Sequence, residues 1–167
     1  MKRTLFLIGF MTILSTVSLA QNKKADKEAA EKAQFEKAVA ALDAKDFVII
    51  VDSYEASDRT IQTNTDVANF MSYEKEFVVL QGIPAGNQYT NKVNVLDFKQ
   101  ETDKKGNIRL NMQVKGFYIT AKIEIFMKKG GNYADVIVSP NKGGTKRFSG
   151  EVIPRSESKY FKRPGEV

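Results

Sequence analysis

Ile108-Arg109-Leu110-Asn111-Met112-Gln113-Val114 and, a short way on, Ile119-Thr120-Ala121-Lys122-Ile123-Glu124-Ile125-Phe126-Met127 decide the fold. Apolar residues recur at every second position, and the residues between them are mostly polar or charged. Successive side chains of a strand point to opposite faces, so each segment reads as a β-strand with one buried and one wetted side. That one-sided pattern belongs to antiparallel sheets, because parallel sheets are buried on both faces.

The same period extends in both directions. Upstream lie Phe47 to Val51, Thr60 to Thr63, Val67 to Ser72, Glu76 to Gln81 and Val93 to Phe98. In the last of these, Val93, Val95 and Asp97 alternate against Asn94, Leu96 and Phe98. Downstream come Val136 with Val138, then Phe148 to Ile153. Turn chemistry separates them at Lys105-Gly106-Asn107, Gly130-Gly131-Asn132 and Asn141-Lys142-Gly143-Gly144. Gly82 to Asn91 reads as the longest irregular stretch. Eight or nine strands joined by tight turns predict an antiparallel meander. Open edges invite aggregation, so the sheet is expected to curl into a barrel or a strongly bent sandwich.

Lys23 to Ala44 is different: Ala, Lys and Glu dominate, and the period is helical. Lys27 with Glu31 and Glu28 with Lys32 stand at i,i+4 spacing. Phe35, Ala38, Val39 and Leu42 form a stripe that faces a core, whereas upstream the apolar face is alanine alone. The helix is therefore expected to dock through its second half and to project or fray through its first. The expected organisation is a signal peptide over 1–20, a helix over 21–45 and a barrel with a basic tail over 46–167.

Met1 to Ala20 carries the features of a cleaved secretory signal. Lys2 and Arg3 precede an apolar run from Leu5 to Leu14. Ser18-Leu19-Ala20 then presents small residues before polar Gln21, predicting cleavage between Ala20 and Gln21. The run is short for a bilayer core of about 30 Å, which weighs against a retained anchor. Lacking any cysteine, the chain cannot be a lipid-modified lipoprotein. A periplasmic or secreted location is expected, with no transmembrane anchor after cleavage.

Composition narrows the chemistry. The 167 residues contain no Cys, His or Trp, which removes disulfides, the usual zinc sites, thiol and imidazole nucleophiles, and a base titrating near neutral pH. The formal charge is +6. The surplus lies in Lys142 to Val167, where seven Lys/Arg face three Glu. Such a tail suits either plain solvation or an anionic surface, and export makes nucleic acid a poor partner.

Phe47-Val48, Thr63-Asn64-Thr65 ahead of Val67-Ala68-Asn69-Phe70, Glu101 to Asn107, Val138-Ser139-Pro140-Asn141, and Gly150 to Pro154 before Glu157-Ser158 carry a resemblance. In these segments the chain resembles a domain-of-unknown-function family of small exported proteins from Gram-negative gut-type bacteria. Gly82 to Asn91 is less glycine-rich than the corresponding family stretch. The resemblance implies a lipocalin-type barrel and attaches no activity or functional residue.

Paired carboxylates are the catalytic equipment this composition allows. The close pairs are Asp52 with Glu55, Asp58 with Asp66, and Glu74 with Glu76, all at turn-like positions. Asp58, Asn64 and Asp66 carry oxygen ligands, but not at calcium-loop spacing. Gly130-Gly131 and Gly143-Gly144 read as hairpin turns rather than phosphate cradles. Tyr89, Phe117, Tyr118, Phe126, Tyr133 and Phe148 are candidates either for core packing or for the rim of a ligand-holding mouth. Tyr160 to Arg163 either docks on the barrel or meets an anionic surface. The expectation is a non-enzymatic exported barrel without catalytic residues, cofactor or metal. It binds a small apolar ligand or an envelope protein, and the ligand-binding residues are left open. If a cavity exists, Tyr hydroxyls and Asn amides near Gly82 to Asn91 are expected to orient its occupant. The alternatives are an interaction module acting through the helix and, more distantly, a carboxylate hydrolase. Oligomeric state is not legible.

Overall fold

A computed structural model describes residues 26–167. The signal segment and its cleavage point at Ala20 and Gln21 lie outside the described residues. Helix α1 occupies 26–43. Ten strands follow: β1 Asp46–Ile50, β2 Ser53–Glu55, β3 Ile61–Thr63, β4 Phe70–Glu74, β5 Phe77–Gly82, β6 Asn87–Thr102, β7 Ile108–Gly116, β8 Thr120–Met127, β9 Tyr133–Pro140 and β10 Lys146–Pro154.

Every pairing between these strands is antiparallel, and from β4 to β10 each strand lies beside the next in sequence. β1 bridges β4 and β10, with Ile49 opposite Met71 on one side and Val152 on the other. Eight strands thus close a barrel and leave no open edge in its wall. β2 and β3 form a small hairpin appended to β10. The chain bends between β1 and β2 at Val51 and Asp52, where the Asp52 N–H donates to the Ser149 carbonyl at 2.9 Å. Gly150 lies against this bend: a Cβ there would sit 2.0 Å from the Ile50 carbonyl oxygen, so only glycine fits.

The inward faces follow the alternation. Ile108, Leu110, Met112 and Val114 of β7 meet Met127, Ile125, Ile123 and Ala121 of β8, and all are buried. Phe47, Ile49, Met71, Leu80, Val136 and Phe148 join them in one cluster. These side chains have almost no surface accessible to water, internal voids included, so the barrel interior is packed solid. The apolar central cavity entertained from sequence is absent among them.

Two expectations about β6 are corrected. Gly82 to Asn91 is not a long loop. The Ala85 and Gly86 N–H groups donate to the Gly82 carbonyl, closing a tight turn, and β6 starts at Asn87. Asn91 then pairs with Leu80 and Thr90 with Gln81. Nor does strict alternation run from Val93 to Phe98. Pairing with β7 slips between Val95 and Asp97, a bulge that reverses which parity faces the core. Phe98 therefore packs against the core cluster, whereas Leu96 is left outside.

α1 covers the barrel end formed by the β4–β5, β6–β7 and β8–β9 turns. Ala38, Ala41 and Leu42 are buried, with Phe35 and Val39 packed against the core, and residues 26–34 are exposed. Lys27 pairs with Glu31 at 3.8 Å, as its spacing predicts. The Gln100 side-chain amide donates to Asp43 at 2.6 Å, and Lys45 lies over the Phe98 ring, fixing the C-terminal end of α1 to β6.

Candidate functional site

Where α1 shields one end of the barrel, the other is left to three hairpin turns: 83–86, 117–119 and 141–145. Between them lies a cleft of about 500 Å³ lined by Asn87, Phe117, Tyr118, Asn141, Lys142 and Lys146 among others. Phe117 also borders a second cleft of about 490 Å³ on the outer wall, with Lys92, Leu96, Lys115 and Glu166. Phe117 is 84% exposed, Tyr118 66% and Leu96 65%. The two neighbouring rings meet edge to face, 4.7 Å between centroids. Among the described residues no acid lines the first cleft. The acid of the second, Glu166, is paired with Lys162 at 2.5 Å.

Local geometry explains why the aromatic pair stands out. The Gly116 N–H donates to the Ile119 carbonyl at 2.7 Å, leaving Phe117 and Tyr118 at the tip of the β7–β8 hairpin. Behind them, Ile119 and Ala121 turn inward and are buried. Of the aromatics singled out from sequence, Phe148 is core, Phe126 lies under the Arg109 guanidinium, and Tyr89 and Tyr133 are exposed. The amides expected to orient a ligand are otherwise engaged: Asn91 donates to Asn87 Oδ1 at 2.8 Å and to the Tyr89 carbonyl.

The basic tail is largely used by the fold itself. Tyr160 stacks on Phe70 and helps cover an outer apolar cluster of Val48, Phe70 and Val79. Buried Gln81 donates to the carbonyls of Ala68 and Phe161 and accepts from the Arg163 N–H, stitching the tail to β5. Arg155 binds Asp46 and Glu74, Lys162 binds Glu74 and Glu166, and Arg163 binds Asp66. Burial opposes the charge on Lys162, yet Glu166 and Glu74 outweigh it and raise its pKa. The Lys162 ammonium in turn holds the Glu166 carboxyl below its usual range.

Five of the six acids in the sequence-derived carboxylate pairs, Glu76 excepted, are tied to separate local partners. Asp52 accepts from the Tyr133 hydroxyl at 2.8 Å, and Glu55 pairs with Arg147. Asp58 caps Thr60, whose hydroxyl and N–H hold the carboxyl below its ordinary value. Asp66 caps Ala68, and Asn64 binds the Val51 and Asp66 carbonyls. Among the described residues no three acidic side chains gather as ligands for one ion.

The comparisons agree with the architecture. The family described as "Domain of unknown function (DUF4251)" matches residues 29–152. A crystal structure of a DUF4251 family protein from Bacteroides eggerthii is similar, with 29% identity and a TM-score of 0.69, covering 78% of this chain and 94% of that one. No curated protein matches the chain.

Proposed function

The chain belongs to the DUF4251 family, a domain of unknown function, and from that premise we propose that it is an exported, non-enzymatic binding protein whose working surface is the open end of the barrel. One observation carries this reading. A barrel packed solid inside offers a ligand no interior, yet its open end presents two adjacent exposed aromatics beside a cleft. Large apolar side chains kept in water are what interaction surfaces share and monomer surfaces rarely need. Asp52, Glu55, Asp58, Asp66 and Glu74 are occupied as caps, hydrogen-bond acceptors and ion pairs, which favours binding over catalysis. Export rests on Met1 to Ala20, and the proposed location is the periplasm or beyond. The exposed half of α1 offers only alanine on its apolar side, a poor competitor for the partner surface.

A photo-crosslinking residue placed at Tyr118, with Lys104 at the opposite end as control, tests the reading in native cells. Crosslinks to an envelope component are expected from position 118 and not from 104. Equal yields at the two positions would refute it, as would a mature chain that retains Met1.

A further inference from the structure

We propose that the open end docks on an anionic lipid surface, with Phe117 and Tyr118 entering the interface and lysines meeting the headgroups. The proposal rests on the reading that this end is the binding surface, and it names what is bound. The β7–β8 hairpin breaks a local rule. A hairpin tip favours Asn, Asp or Gly, and the tips at Gly106, Gly130 and Gly143 all place glycine at positive φ. The β7–β8 tip instead carries Phe and Tyr, with Phe117 more exposed than any other large apolar side chain among the described residues. Neither ring joins a core cluster, and positions that defy local rules without an evident structural return are where function is expected.

Charge points the same way. Lys115, Lys142 and Lys146 line the two clefts that flank Phe117, and none has an acidic partner among the described residues. Lysines also stand at the helix-covered end, at Lys104, Lys105, Lys128 and Lys129, where Tyr133 at the base of the β8–β9 turn is 43% exposed but has its hydroxyl held by Asp52. At the open end, unpaired cations stand beside two rings that are 84% and 66% exposed. Aromatic rings favour the membrane–water interface, and lysines near it are drawn to anionic headgroups. Lysine stems also lie along apolar surface while the ammonium reaches outward. Among the described residues no helix is long and apolar enough to cross a membrane, so the contact would be peripheral. Of the tail cations, Arg155, Lys162 and Arg163 are held by Asp46, Glu74, Glu166 and Asp66, whereas Lys115, Lys142 and Lys146 beside the Phe117 hairpin stay free to engage.

Sedimentation of the mature chain with phosphatidylcholine vesicles, with and without phosphatidylglycerol, tests this. Binding to the anionic vesicles alone is expected, weakening as salt rises. Phe117→Ser/Tyr118→Ser and Lys142→Glu/Lys146→Glu should each lower the affinity about tenfold or more. Phe117, Tyr118 and Lys142 are exposed and Lys146 is half-buried against Gly86, and unchanged urea midpoints would show that folding is intact. Absence of binding to anionic vesicles, or binding that survives both double variants, would overturn the proposal. If vesicles fail while the Tyr118 crosslink captures an envelope protein or glycan, the lipid assignment falls and the broader reading stands. If the crosslink fails as well, both fall.

Discussion

Replacing Ile123 by alanine tests the solid barrel directly. Ile123 is fully buried on β8, opposite Met112 on one side and Val138 on the other. The change removes three methyl or methylene groups, which costs about 2.4 kcal/mol in transfer free energy at about 0.8 per group. Wall strands hydrogen-bonded on both sides cannot close over the gap. A residual void of roughly 80 Å³ at about 24 cal/mol per Å³ would add up to about 2 kcal/mol. Partial relaxation places the expected loss at about 3–4 kcal/mol. In urea, with a slope of about 2 kcal/mol per molar, the midpoint should fall by about 1.5–2 M at unchanged slope. Lys122→Ala, one residue away, removes an exposed side chain paired with Glu124 at 2.8 Å, a surface contact worth less than about 1 kcal/mol. Equal midpoint shifts at the two positions, or a loss under about 1 kcal/mol at Ile123, would refute the register and the packing.

Other consequences follow from particular contacts. Gly150→Ala forces a methyl group onto the Ile50 carbonyl, so a loss of about 3 kcal/mol or more is expected in the same urea assay, and a near-wild-type midpoint would contradict the β1–β10 approach. Glu166, its pKa depressed by Lys162, stabilises the docked tail fully above its ordinary value of 4.5 and loses that contribution as pH falls through the lowered one. Amide exchange at 160–167 should therefore quicken in acid before the barrel unfolds, and a tail still protected there would count against the Lys162–Glu166 contact. In α1, amides near Ala38 to Leu42 should exchange slowly and those before Ala30 fast. Uniform protection would mean that something covers the exposed half.

Legibility followed the physics of each segment. β7 and β8 were readable residue by residue because Ile108 to Val114 and Ile119 to Met127 alternate without interruption, and one buried face fixes their register. The buried half of α1 was readable from Leu42 and its stripe, although Ala38 and Ala41 lie deeper than Phe35 and Val39. The bulge beyond Val95 was not, since one extra residue reverses parity and leaves no mark in composition; it moved Phe98 inward and Asp97 outward. β2 escaped because Ser53-Tyr54-Glu55 is too short to show a period. Gly82 to Asn91 looked irregular because Gly, Pro and Asn crowd there, whereas pairing with β5 makes its second half a strand. At the open end, the aromatics were visible as residues, but nothing in the sequence distinguished buried Phe148 from exposed Phe117. The tail's fate was equally hidden, since its contacts with Glu74 and Gln81 span about half the chain.

Methyl-resolved NMR of the mature chain, titrated with a detergent-free extract of the native envelope, tests most directly the claim that a solid barrel works through its open end. Shifts are expected at Leu96 and Ile119, which flank the Phe117 hairpin, with Ile49, Leu110, Met112 and Ile123 unmoved. Shifts centred on those interior methyls, with the rim silent, would show that a ligand enters the barrel and would contradict the account.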